Sequence, residues 1–283
     1  MIKGALILEG GALRSVFGAG VLDVFLENKL QFEYVLGISA GALNAGNYVS
    51  GQMGRTASIN INYANDSRYI GIRQFIKKGS IFNLDFLFDE PVGDWVPYDE
   101  YAFTHTKQKF IIGATNCLTG KQVFFERHTY KELTEVLAAS STLPVLSKTT
   151  FIDGIPYIDG GVSNAIPFTK AIQDGYKKIV IVLTRPEGYI NKNNEFLNQV
   201  FRIYYHKYPN VVKKLCTMSQ RYNSLLSQIK ELEKKHKVFV IRPTTLLKVR
   251  RVEKDKNKLR LLYLEGKEDA RQKLADMMEY LKE

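Results

Sequence analysis

The chain has 283 residues, 45% of them hydrophobic and 24% charged, with 8 prolines, 2 cysteines and 4 histidines. These proportions exclude a disordered chain, a disulfide scaffold and a cysteine- or histidine-built metal centre. Cys117 and Cys216 are too few to staple a chain of this size, and the histidines (105, 128, 206 and 236) show no ligand spacing. The net charge of +11 is uneven: residues 170–283 hold 26 Lys+Arg against 13 Asp+Glu, whereas residues 1–169 hold 14 against 16. The basic part reads as a solvated face or as a surface attracted to anionic lipid. No nucleic-acid-binding motif accompanies it, so nucleic acid is not expected as a partner. No window reaches the roughly 18 apolar residues of a membrane span, and no leader pattern opens the chain. The expectation is a cytoplasmic protein, with peripheral contact to an anionic membrane surface as the functional reading of its basic part.

Residues 4–8 form an apolar run of the right length for a buried parallel strand, ending in Glu9-Gly10-Gly11-Ala12-Leu13-Arg14-Ser15. Phe17, Val21, Val24, Phe25 and Leu26 then recur at helical spacing up to Asn28. A second strand is predicted over residues 33–37, and a small-residue helix from Ser39 to about Ser50. This alternation predicts right-handed βαβ units and a mostly parallel sheet. Residues 55–63 read as helix and 84–88 as an apolar turn. Ile81, Phe82, Phe86, Leu87, Phe88 and Trp95 form either an excursion covering the sheet or an apolar wall over the site. Residues 109–115 and 121–125 read as strands across a Leu-Thr-Gly turn, and 130–141 as a helix stopped before Pro144. A hairpin turning at Asp153-Gly154 returns in a strand that ends at Asp159. Pro167 opens a further helix, and residues 178–184 are the strongest strand. Beyond Arg185 the pattern becomes helical and basic: helices over 195–206 and 209–235, a strand over 238–241 that returns to the sheet, a basic loop with Lys248, Arg250 and Arg251, and a helix over 267–282. The organisation expected is a catalytic core over residues 1–185 with a mainly helical extension over 186–283, and no sharp boundary between them.

Gly37-Ile38-Ser39-Ala40-Gly41, between a strand and a helix, fits a sharp elbow that exposes the Ser39 hydroxyl; Gly37 and Gly41 leave room for it. A serine needs a base within reach. The elbow follows the second strand, too early for a usual α/β-hydrolase, and His206 and His236 sit in polar helical contexts. A Ser-His-Asp esterase using either histidine therefore stands as the weaker alternative. Asp159, at a strand end before Gly160 and Gly161, is the better candidate base, with a plain turn carboxylate as its other reading. The Gly10-Gly11-Ala12-Leu13-Arg14 loop exposes successive backbone N–H groups but matches neither a Walker loop nor a Rossmann fingerprint. Donors of an oxyanion hole explain it better. Arg14 would fix the loop or meet an anionic headgroup.

Together, in order, these motifs resemble the patatin-like phospholipases: the Gly-Gly loop with Arg14, the Ser39 elbow and Asp159-Gly160-Gly161. Ala139-Ser140-Ser141 before Leu143-Pro144, and Val162, Asn164 and Ile166-Pro167 after the second glycine pair, fit as well. The resemblance covers roughly residues 4–185 and looks closest to the bacterial, intracellular branch with a helical C-terminal extension. It implies a three-layer α/β/α fold and a lipid acyl hydrolase of phospholipase A, lysophospholipase or carboxylester hydrolase type. Ser39 would be the nucleophile, Asp159 the proton acceptor, and the N–H groups around Gly11 and Ala12 the oxyanion hole. Neither a metal nor a cofactor is required by that scheme, and the substrate is a lipid ester. Two departures occur: the family commonly has glycine where Ala12 and Ser15 stand. Alanine at position 12 costs little if its φ is negative. A non-catalytic lipid- or protein-binding regulator on the same fold is the remaining alternative.

Overall fold

The computed structural model describes residues 1–88, 97–130, 133–245 and 247–282. β1 (Ile2–Leu8) and β2 (Phe32–Ile38) are joined by α1 (Val16–Glu27), and α2 (Ala40–Val49) follows β2 at once. β3 (Lys109–Asn116), β4 (Gln122–Glu126), β5 (Thr150–Ile152), β6 (Ile155–Asp159), β7 (Ile179–Val182) and β8 (Phe239–Ile241) complete one eight-stranded sheet in the order β5-β6-β3-β2-β1-β7-β8, with β4 also on β3. The pairs β3–β2, β2–β1, β1–β7 and β7–β8 are parallel, whereas β4, β5 and β6 enter by antiparallel pairing.

Alternation along the strands divides the core into two layers. Leu6, Leu8, Val35, Phe110, Val180 and Val182 pack with Phe17 and Val21 of α1 on one face. Ala5, Ile7, Tyr34, Leu36, Ile179 and Ile181 pack with Phe168, Ala171 and Ile229 on the other. Buried on both sides, these strands read as continuous apolar runs. The result is the expected three-layer α/β/α architecture around a mostly parallel sheet. The α1 helix is buried all round from Val16 to Phe25 because a second helix, Lys256–Gln272, covers its outer side. A Cβ on Gly20 would meet the carbonyl of Tyr263, and one on Gly266 that of Phe17, so the two backbones touch. Among the described residues no helix is long and apolar enough to cross a membrane.

Three boundaries differ from expectation. The helix predicted over 209–235 is broken at Thr217 into Pro209–Cys216 and Met218–Lys234. There the Thr217 hydroxyl donates to the Lys213 carbonyl at 2.8 Å, and Arg221 reaches back to the Lys214 carbonyl at 2.6 Å. The last helix begins at Lys256, not near 267, because Asp255 caps it by accepting from the N–H groups of Asn257 and Lys258. It pauses at Lys273 before Leu274–Lys282. Short helices at Ile72–Lys78 and Glu100–His105 had no predicted counterpart.

Candidate active site

β1 has β2 on one side and β7 on the other, so the carboxyl ends of these strands form a topological switch point, where open α/β sheets bind ligands. The loop after β1 and the elbow after β2 both lie there. Ser39 has φ 55° and ψ −130°, a conformation almost reserved for glycine that costs of order 1–3 kcal/mol. The strain is held by packing: a Cβ on Gly41 would lie 2.5 Å from the Leu8 carbonyl oxygen, and one on Gly37 2.5 Å from Ala42 Cα. The start of α2 thereby presses directly onto the end of β1. Ser140 completes the hold, accepting the Ser39 N–H at 2.8 Å and donating to the Gly113 carbonyl at 2.8 Å.

The glycine loop lies against this elbow. A Cβ on Gly10 would fall 2.6 Å from the Ile38 carbonyl and 2.8 Å from Ser39 Cβ. Among the described residues the N–H groups of Gly10, Gly11 and Ala12 donate to no protein acceptor, and together with the first N–H groups of α2 they leave donors around Ser39. Ala12 has φ 51°, in the left-handed region. The expectation that alanine costs little there fails, since its premise was a negative φ. The usual glycine would be free of a penalty of about 1–2 kcal/mol. At Ser15, the other departure, the hydroxyl donates to the Ala12 carbonyl at 2.7 Å and braces the turn.

Two residues of this loop had no role assigned from the sequence or only a loose one. Glu9 is buried, and its carboxylate accepts from the Thr184 N–H at 2.6 Å and hydroxyl at 3.0 Å and from the Tyr222 hydroxyl at 2.6 Å. Arg14 has its Nε shut off from solvent and unpartnered among the described residues. Burial first, then the charges of Arg185 and Arg251, lower its pKa to about 10, with Glu9 opposing.

Strand register brings Asp159 to the same place. Ile38 sits opposite Gly113 on β3, and the next residue, Ala114, sits opposite Asp159 on β6. Ser39 and Asp159 are therefore level, two strand spacings or about 10 Å of backbone apart, a gap their side chains close across small residues. A Cβ on Gly160 would meet the Gly113 carbonyl, so glycine keeps that crossing tight. Gly161 donates its N–H to Asp159 Oδ1 at 2.7 Å, and Thr115 donates its hydroxyl to the Asp159 carbonyl at 2.8 Å. Burial pushes the Asp159 carboxyl above the ordinary aspartate range, while hydrogen bonds from Ser39 and the Gly161 N–H and the charge of Arg251 pull it partly back.

Ser39 opens into a cavity walled by Ala12, Leu13, Leu43, Tyr69, Phe82, Leu84 and Leu143. The aromatic section after Arg55 thus does two jobs. Phe82 lines the cavity, whereas Phe86 and Leu87 are buried in the main core. Trp95 and the Phe88 side chain lie outside the described residues. The Ser141 hydroxyl, buried and unpartnered among the described residues, also faces this cavity. No histidine lines it; His206 and His236 are exposed, and His206 Nδ1, in the turn after helix Glu195–Tyr204, sits 3.0 Å from the Ile203 carbonyl oxygen. Lys248, Arg250 and Arg251 are exposed, and the Arg251 carbonyl accepts the Leu13 N–H at 3.2 Å, which places this basic loop over the glycine loop.

Comparison with known proteins bears on this arrangement. A family model for patatin-like phospholipases matches residues 6–172, and one for a domain of unknown function (DUF6363) matches residues 208–282. The uncharacterized protein YjjU of Escherichia coli (strain K12) is 30% identical over 187 residues, 64% of this chain and 52% of that protein, so the chain spans about half the length of this curated relative. The crystal structure of VipD from Legionella pneumophila shares the fold, with a TM-score of 0.53 at 12% identity over 96% of this chain and 67% of that one. With its family model matched over more than half of its length, the chain belongs to the patatin-like phospholipase family.

Proposed function

We propose that this protein is a serine lipid acyl hydrolase acting through a Ser39–Asp159 dyad. The observation that carries the reading is a convergence: a strained serine has a loop of unspent N–H donors beside it and a buried carboxylate in hydrogen-bond contact, and opens into a cavity with a largely apolar wall. Ser39 Oγ attacks the ester carbonyl carbon as Asp159 takes its proton. The N–H groups of the 10–14 loop hold the oxyanion. Collapse breaks the ester C–O bond, and Asp159 returns the proton to the departing alcohol. Water, deprotonated by Asp159, then attacks the acyl carbonyl carbon; the bond to Ser39 Oγ breaks, Asp159 gives the proton to Ser39 Oγ, and the fatty acid is released.

The apolar wall suits an acyl chain, and three guanidinium groups suit an anionic headgroup. Arg185 and Arg251 are near enough to Arg14 to depress its proton affinity, and none of the three forms an ion pair among the described residues. On this proposal the protein works in the cytoplasm and touches an anionic membrane surface peripherally.

Hydrolysis of a short-chain p-nitrophenyl ester and of phospholipid vesicles tests the reading. Ser39→Ala and Asp159→Asn are expected to lose roughly 10²–10⁴-fold in kcat. His206→Ala and His236→Ala retain wild-type activity. Because the base works ionised and its pKa is raised, activity falls on the acid side at a pH above the ordinary aspartate range. Loss of turnover on changing either histidine would sink the dyad, and a wild type inactive on every lipid ester would favour a binding role.

A further inference from the structure

Helix Met218–Lys234 lies in the segment that the family model for a domain of unknown function matches, yet it reaches the site with two adjacent residues. Tyr222 donates its hydroxyl to Glu9 Oε1 at 2.6 Å, while Glu9 Oε2 takes both donors of Thr184. Arg221 donates to the Ser163 carbonyl at 2.5 Å and the Val162 carbonyl at 2.6 Å. Its remaining bonds, to the Lys214 carbonyl at 2.6 Å and Thr217 Oγ1 at 3.2 Å, tie the guanidinium back across the helix break.

The two contacts end on the two halves of the reaction centre. Glu9 is the last residue before the Gly10-Gly11 loop. Three hydrogen bonds from Tyr222 and Thr184 hold the Glu9 carboxylate in place, and so fix the point from which the loop departs. Val162 and Ser163 close the one-turn 3-10 helix Gly160–Val162, whose free carbonyls need donors. The planar fork of an arginine supplies two at once. That turn carries the Gly161 N–H that binds Asp159 Oδ1 at 2.7 Å.

We propose that this helix is a positioning clamp for the active site: Tyr222 acts through Glu9 on the oxyanion loop, and Arg221 acts through the Gly160–Val162 turn on Asp159. The inference rests on the reading of Ser39 and Asp159 as the dyad, and it gives the C-terminal segment a part in the chemistry beyond filling the fold.

The test uses the full chain with Tyr222→Phe, Arg221→Ala, Arg221→Lys and Ser39→Ala on p-nitrophenyl butyrate. Tyr222→Phe and Arg221→Ala are expected to lower kcat about tenfold or more with KM within about twofold, as small misplacements of reacting groups do. Arg221→Ala also moves the acid limb of the pH–rate profile upward, because Asp159 loses a well-placed donor. Arg221→Lys restores part of both. A purely structural role would lower Tm and leave kcat and the pH profile of the folded enzyme unchanged, and that result would overturn the clamp while Ser39→Ala still abolished turnover. Turnover surviving Ser39→Ala would instead overturn the dyad, and the clamp with it. Should the wild type not cleave this ester, the rate of Ser39 labelling by a fluorophosphonate reads the same comparison. Should Arg221→Ala not fold, Tyr222→Phe and Arg221→Lys carry it.

Discussion

Asp159 illustrates at residue scale how a site stores free energy against the fold. Its raised pKa means that the ionised carboxyl is less comfortable folded than unfolded. The sign follows: the contribution to stability is fully present below the unfolded aspartate pKa and is lost as pH rises through the higher folded value. Asp159→Asn is therefore expected to raise Tm at neutral pH while abolishing turnover, since the amide oxygen can still accept from Gly161. The gain should shrink towards zero once the pH falls below the unfolded aspartate pKa, and thermal melts across that range check it. An unchanged Tm at neutral pH would show that Ser39, Gly161 and Arg251 offset the desolvation in full. Ser39 and Ala12 add backbone cost, each holding a positive φ with a Cβ present. At Ser39 the hydroxyl proposed as nucleophile requires a residue other than glycine; the structure offers no such reason at Ala12.

At the scale of elements, the contact between α1 and helix Lys256–Gln272 is what joins the C-terminal part to the core. Gly20 and Gly266 permit backbone approach that any side chain would block. Gly266→Val is expected to destabilise by about 2 kcal/mol or more, because neither helix can back away from a buried interface without opening it. The midpoint of urea unfolding measures this, and a shift below about 0.5 kcal/mol would mean the helices separate freely. The β8 strand ties the same region to β7 through the Val180–Phe239, Ile181–Val240 and Val182–Ile241 pairs. The glycine loop, elbow and carboxylate all hang from strand ends, so the rigidity of β1, β2 and β6 sets the precision of the site.

Charge acts at the scale of the whole molecule. The excess of basic residues beyond residue 169 surfaces in the exposed Lys248, Arg250 and Arg251 beside the glycine loop. Each basic side chain at an anionic bilayer is worth about 1 kcal/mol. Reversing these three to Glu is expected to weaken sedimentation with phosphatidylglycerol vesicles by at least roughly tenfold, with added salt doing likewise to the wild type. Binding that ignored both changes would remove the loop from the membrane contact.

The central βαβ pattern, the elbow at Ser39, the loop at Gly10-Gly11 and the strand ending at Asp159 were all legible in the amino-acid order, because each is a local matter of apolar period and backbone room. Asp153-Gly154 was equally legible: both take positive φ, at 49° and 74°, in a two-residue hairpin. The break at Thr217 and the early start at Lys256 were not, because charged residues mask the stripe of Leu259 and Leu262 and the break answers to Arg221. Nor could order along the chain show that Ser140 holds the elbow, that Tyr222 reaches Glu9 across 213 positions, or that Asp159 is level with Ser39. Those facts depend on register and packing between segments far apart, which no local pattern encodes. Sequence by itself determined which chemical groups the protein carries and on which kinds of element; only the tertiary structure decided which of them meet.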